Sequence, residues 1–146
     1  MSARDYPDRP WVGIGLIAFR GEDVLLVRRG KPPRQGEWSI PGGAQHLGET
    51  AEAAARRELR EETGIEVGPL ALAVVVDALT EDAAGRVRFH YTIIDFAGRW
   101  LSGEPVAGDD VSEARWFSPG EVAGLGLWPE ALRAIAEGRR RLAELP

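Results

Sequence analysis

The chain has 146 residues, a net charge of −5 and a pI near 5.1, with 44% apolar and 28% charged residues. This is the balance of one ordinary globular domain with a real core, and its acidity argues against sequence-independent binding to nucleic acid. Cysteine is absent, which excludes disulfides, thiolate metal sites and thiol nucleophiles.

The first ten residues, MSARDYPDRP, hold no apolar stretch and do not read as a secretory signal. They are expected to be a flexible terminus (1–10) preceding a single domain (11–146). Trp11 to Phe19 reads as a strand, turned at Arg20-Gly21-Glu22 into a second strand, Asp23 to Arg29. Lys31 to Glu37 carries two prolines and reads as a loop. Trp38 to Ile40 follows as a short strand, stopped by Pro41-Gly42-Gly43. Thr50 is placed to cap a helix over Ala51 to Thr63, which Gly64 ends. Leu70 to Leu79 and Val87 to Ala97 read as adjacent strands, and Gly98 to Ser112 as a long loop containing Trp100. Glu113 to Ser118 is a last strand. Ser118-Pro119 starts a short helical turn through Ala123, and Pro129 to Leu142 is an amphipathic helix. The longest apolar run, Leu70 to Val76, is too short to span a bilayer. The expected product is an α/β (α+β) domain in which helices pack on a mixed sheet, with a cytoplasmic location and no membrane partner.

Arg57-Glu58-Leu59-Arg60-Glu61-Glu62 lies at the end of the first helix. Helix C-termini disfavour carboxylates, and Glu58 and Glu62 repel across i,i+4. A divalent cation would reverse both penalties, since Mg²⁺ takes oxygen ligands and shares them with substrate phosphates. At 100° per residue Ala51, Ala54, Ala55, Glu58 and Glu62 fall on one stripe, with Glu61 beside it. The small alanines bring the helix close to the sheet near Gly42, and Leu59 anchors its other side. Arg57 can reach back to Glu49 and pin the loop.

The stretch Gly43 to Ile65, GAQHLGETAEAAARRELREETGI, resembles the Nudix box, G-x5-E-x7-R-E-U-x-E-E-x-G-U with U aliphatic. Gly43, Glu49, Arg57, Glu58, Leu59, Glu61, Glu62, Gly64 and Ile65 fill every defined position. Leu25-Leu26-Val27, the tract Gly36 to Gly43 and Glu113 to Phe117 resemble the family's flanks. The resemblance implies an α/β/α sandwich and a Mg²⁺- or Mn²⁺-dependent pyrophosphohydrolase. The substrate would be a nucleoside diphosphate linked to another moiety. It further implies that Glu58, Glu61 and Glu62 are catalytic metal ligands joined by the carbonyl of Gly42, and that Gly43, Glu49, Arg57 and Gly64 are structural. Asp109, Asp110 and Glu113 are the candidate bases outside the box, with Glu113 and Asp110 placed first and equal and Glu58 a rival inside it.

Arg28, Arg29, Lys31 and Arg34 are either phosphate contacts or a solvated basic edge. His90 and His46 are either substrate or metal contacts or structural histidines. Trp100 either stacks on a base or packs. Trp11, Trp38, Trp116 and Trp128 read as packing, and Arg139-Arg140-Arg141 as an exposed helix face.

The small chain and its His90-to-Phe96 strand resemble the bacterial ADP-ribose pyrophosphatase-like group, which would give AMP and ribose 5-phosphate. The region Thr80-Glu81-Asp82 lacks the proline that some ADP-ribose hydrolases carry shortly past the box, so oxidised nucleoside triphosphates are the alternative substrate. A non-catalytic nucleotide sensor is the alternative of another class, and a homodimer is a possible assembly.

Overall fold

A computed structural model describes residues 4–32 and 34–146, so the expectation of a flexible 1–10 terminus falls partly, over residues 1–3, outside the described residues. Within the described part, Tyr6 is held to the main sheet. Its N–H donates to the carbonyl of Arg88 at 2.8 Å and its hydroxyl to Asp82 at 2.9 Å, while Arg88 pairs with Asp5 at 3.0 Å.

Among the described residues eight strands and three helices follow in chain order: β1 (Trp11–Arg20), β2 (Asp23–Arg29), β3 (Trp38–Ser39), β4 (Gly42–Ala44), α1 (Ala51–Thr63), β5 (Glu66–Val67), β6 (Ala71–Glu81), β7 (Val87–Ser102), β8 (Val111–Phe117), α2 (Pro119–Ala123) and α3 (Pro129–Ala143). Among the described residues the strands form one mixed sheet, in which β1 and β7 pair parallel and the other pairs are antiparallel. Apolar side chains alternate across β1. Ile14, Leu16 and Ala18 join α1, Leu59 and Phe96 in one core, whereas Ile17 and Phe19 join α3, Ala97 and Val76 in the other. The result is the expected α/β/α sandwich.

One feature of the sheet positions the site. β1 and β2 pair only next to their turn, at Phe19 with Val24 and Arg20 with Asp23. Beyond that point β2 leaves to pair with β3 and β8. The gap beside β1 is filled by β4, which sets Gly42 against Gly15 and Gly43 against Ile14. A Cβ on Gly42 would collide with the carbonyl of Ile14, so this approach requires glycine.

Two expectations are corrected here. The Pro41-Gly42-Gly43 segment does not only stop a strand, because Gly42 begins β4. Gly98 does not end the β7 strand. It stays paired and buried because Val67 and Leu70 press against it, within 3.0 Å of where a Cβ would stand. β5 then pairs with β7 at Trp100 and Ser102, so Trp100 belongs to a strand and not to a loop.

Candidate active site

Helix α1 is set by its ends. The Thr50 hydroxyl accepts from the Ala53 N–H at 3.1 Å, and Gly64 closes the helix in the left-handed region at φ 74°. Its inner face, Ala54, Ala55 and Leu59, is fully buried. Arg56 ties the other flank to β5 by donating to the carbonyls of Val67 at 2.8 Å and Gly68 at 2.9 Å. The helix is therefore fixed in rotation, which determines where its glutamates point.

Arg57 organises the loop before the helix. It grips Glu49 with two bonds, Nε to Oε2 at 2.9 Å and Nη2 to Oε1 at 2.7 Å, and donates to the carbonyl of Ala44 at 3.2 Å. This guanidinium, with the N–H of His46, holds the Glu49 carboxyl well below the usual range, at about 2. The same pairing raises Arg57 further above its ordinary value. Through Nη1, Arg57 also donates to Glu58 at 2.9 Å and Glu61 at 3.1 Å.

Glu58 and Glu62 meet at β4. The Glu58 side chain is 12% exposed. It lies against Gly43 so closely that a Cβ there would stand 2.5 Å from Oε1. Glu62 accepts the N–H of Gly42 at 3.2 Å. Burial pushes the Glu62 carboxyl up to about 8. The Gly42 N–H opposes that rise, the charges of Glu58 and Asp109 add to it, and the charge of Arg29 pulls it back. Two carboxylates are thus forced together at a desolvated turn, an arrangement that is unfavourable alone and favourable around a hard cation. Glu61 points to Arg57 instead. Among the described residues no three acidic or histidine side chains converge as a preformed cage.

The loop after β7 closes over this end of the helix. Val106 N–H donates to the carbonyl of Thr63 and Gly108 N–H to that of Glu62, both at 3.0 Å, which satisfies carbonyls the helix leaves open. A Cβ on Gly108 would collide with the Glu61 carbonyl. Asp109, in the left-handed region at φ 53°, follows directly.

The remaining candidates separate clearly. Asp110 pairs with Lys31 at 2.8 Å, and Glu113 with Arg28 at 3.1 Å. The charge of Asp109, the third loop carboxylate, adds to the rise of the Glu62 carboxyl. Arg28 also donates to the carbonyl of Gly36 at 2.9 Å, and Arg34 lies exposed, 3.8 Å from Glu37. In this basic group the charge of Arg29 opposes the rise of Glu62. Neither Trp100 nor His90 is brought to the Gly42 turn. Trp100 donates to the carbonyl of Gly103 at 2.9 Å and carries the Arg20 guanidinium 5.4 Å from its ring. His90 pairs with Leu79 and lines a cavity of about 250 Å³ with Pro7, Arg9 and Val87. His46 is exposed beside Glu49.

One residue escaped the sequence reading. Asp95 is buried in the middle of β7, and burial lifts its carboxyl to about 6 against the pull of Arg133. The available signal was a lone acid inside the apolar run Thr92-Ile93-Ile94-Asp95-Phe96-Ala97.

Comparison with known proteins identifies the family. The NUDIX domain family model matches residues 9–138, and the chain belongs to that family. It is a hydrolase of phosphoric anhydride bonds, and its family generally uses divalent cations. Over 108 residues it is 36% identical to an ADP-ribose pyrophosphatase of Methanocaldococcus jannaschii, covering 74% of this chain and 62% of that protein. Over 124 residues it is 41% identical to a putative 8-oxo-dGTP diphosphatase 2 of Mycobacterium tuberculosis, covering 84% of each. A crystal structure of a MutT NUDIX hydrolase from Burkholderia pseudomallei superposes with a TM-score of 0.77 at 29% identity, over 89% of this chain and 98% of that one. Among the described residues no helix is long and apolar enough to cross a membrane.

Proposed function

We propose that the protein hydrolyses the diphosphate of a nucleoside diphosphate linked to another moiety, with ADP-ribose giving AMP and ribose 5-phosphate as the first reading. The observation that carries it is the Glu58–Glu62 pair packed against Gly42 and Gly43. The pair fits a divalent cation because its donors are hard oxygens whose mutual repulsion and desolvation a cation would relieve. Glu58 and Glu62 would hold Mg²⁺ or Mn²⁺ with the Gly42 carbonyl, and Glu61 would join by turning from Arg57. The cation, when bound, supplies neutralisation of the bridging oxygens and a lowered pKa for a coordinated water.

The chain's own residues do the rest. Arg57 and Glu49 hold the loop and the helix end in register. Arg29 adds positive charge beside the site, where the substrate diphosphate brings negative charge. Water attacks phosphorus, its proton passes to a carboxylate, and the anhydride P–O bond breaks. Asp109 is the best-placed acceptor for that proton, with Glu58, itself bonded to Arg57, its rival inside the box, and Asp110 and Glu113 are held by Lys31 and Arg28.

A second substrate reading, an oxidised nucleoside triphosphate releasing pyrophosphate, is supported by the relative of matching length named as an 8-oxo-dGTP diphosphatase. The deciding experiment is product analysis after incubation with Mg²⁺ and a panel of ADP-ribose, nucleotide sugars, dinucleoside polyphosphates, and normal and oxidised triphosphates. Glu62→Gln serves as the control. AMP with ribose 5-phosphate supports the first reading, and a monophosphate with pyrophosphate the second. Tight nucleotide binding without turnover would instead indicate a sensor.

A further inference from the structure

Phe19 and Arg99 stand side by side in the parallel β1–β7 ladder, and Arg20 ends β1 at its turn. The C-terminal end of α3 faces them with Arg139, Leu142 and Ala143, and the three elements enclose an open cavity of about 420 Å³. Three arginines line it and no acid does. It is remote from the cation turn. Gly42 meets β1 at Gly15, and Arg20 lies five residues farther along the strand, roughly 17 Å at the usual strand rise.

The guanidiniums are held by rings and a carbonyl more than by carboxylates. Arg139 lies over Phe19, 4.7 Å from the ring centre, and Arg20 lies over Trp116 at 4.6 Å and Trp100 at 5.4 Å. Arg99 donates through Nη2 to the Leu142 carbonyl at 2.6 Å. Among the described residues neither Arg99 nor Arg139 pairs with a carboxylate, while Arg20 meets the exposed Glu104 at 3.4 Å. The next arginines along α3 behave differently. Arg140 bonds Glu137 at 2.7 Å and Glu144 at 3.0 Å, and Arg141 lies 3.9 Å from Glu137. The reading of Arg139-Arg140-Arg141 as one exposed face therefore fails at Arg139, which is half-buried and turned to β1. With 23 acidic against 18 basic residues the chain has carboxylates to spare, so composition does not account for a cavity whose charged lining is arginine alone.

A ring covers the face of a guanidinium and leaves its N–H edge free to bond. Like charges gathered around one cavity repel, and an anion placed between them turns that repulsion into attraction. The planar N–H fork matches the oxygens of phosphate in two-point bonds. The volume falls within the range of small-molecule sites, about 300–1,000 Å³, and leaves room for an organic group beyond the phosphate.

We propose that this cavity is a second anion site, which binds the phosphate group of a small molecule with Arg99 and Arg139 as its main ligands and Arg20 completing it. The bound phosphate bridges β1, β7 and α3. Free phosphate and a phosphate monoester share this chemistry.

Calorimetry on the full chain without added divalent cation, at constant ionic strength, tests this. Inorganic phosphate and ribose 5-phosphate are the two probes. At least one should bind saturably at one site, and the tighter of the two identifies free phosphate or a monoester as the occupant. Arg139→Ala and Arg99→Met should each weaken that binding about tenfold or more, the scale of a hydrogen bond to a charged group. Arg140→Ala removes the same charge from the same helix, and Arg29→Ala removes one beside the cation turn; both should stay within about twofold, as loss of a surface charge does. The tighter probe should also raise the melting temperature of the wild-type chain more than that of Arg139→Ala. The proposal is overturned if neither probe binds or if Arg139→Ala binds as the wild type does. It is equally overturned if Arg140→Ala or Arg29→Ala costs as much as Arg139→Ala, because the anion would then be held diffusely or at the substrate site. No readout involves turnover, so the outcome is independent of the hydrolase reading.

Discussion

Glu62 shows how burial sets the charge state of a single side chain. Its carboxyl is lifted from 4.5 to about 8 in the folded chain, with burial as the main cause. Between those values the folded state holds a proton that the unfolded state has released. The stability this group contributes is complete below about 4.5 and is lost as pH rises toward 8. Melts of the metal-free protein should show that fall, and Glu62→Gln, which has no charge to desolvate, should flatten it. The same variant should lose nearly all turnover. Protons compete with the cation for this carboxylate, so added Mg²⁺ should raise the melting temperature more at alkaline than at acidic pH. A Glu62→Gln protein with wild-type turnover would sink the ligand assignment. A second residue-level expectation concerns the base. Asp109→Asn should lower kcat by about 10²-fold or more, on the scale of general base catalysis. Asp110→Asn and Glu113→Gln, which break exposed ion pairs to Lys31 and Arg28, should stay within a few-fold of wild type. Single-turnover rates of the three variants decide between them.

Among the elements, α1 and the short strand β3 were legible and β4 and β5 were not. The helix announces itself locally through the Thr50 cap, the buried Ala54-Ala55-Leu59 face and the Gly64 stop, all of which the structure keeps. β4 and β5, of three and two residues, exist only because β1 and β7 offer them partners, so no local pattern could mark them. Gly98 reads as a breaker until Val67 and Leu70 are seen to need its missing side chain. The glutamates were legible as a motif, but which loop carboxylate faces them depends on where the segment after β7 docks. Two glycines test that docking. Gly108→Ala should push the loop from the Glu61 carbonyl, costing about 1–3 kcal/mol as overpacking does, and activity with it. In Gly43→Ala the nearest atoms the new methyl meets are those of the Glu58 carboxylate, the end of a side chain rather than backbone. Its melting temperature should move little while kcat falls, and a Gly43→Ala protein with unchanged kcat would show that Glu58 is not held where catalysis needs it.

At the level of the whole molecule, the sheet divides one chain into two cores with different duties. The core under α1 holds Leu59, whose neighbours in sequence are Glu58 and the rest of the acidic hexad. The core under α3 holds Leu142, far along the chain from any cation ligand. Both leucines are almost fully buried, so truncation of either to alanine should cost about 2–5 kcal/mol. Their functional costs should differ. A cavity at Leu59 loosens the rotation of α1 and spreads the positions of Glu58 and Glu62, and small misplacements of catalytic groups are expensive in rate. A cavity at Leu142 lowers the unfolding free energy but leaves β1, β4 and α1 in register. Denaturant melts should therefore place Leu59→Ala and Leu142→Ala near one another. Turnover measured well below both transitions should fall steeply for Leu59→Ala and stay within a few-fold for Leu142→Ala. Equal loss of turnover in the two would mean that the cores are coupled through β1 and that the α3 layer also sets the geometry of the cation turn.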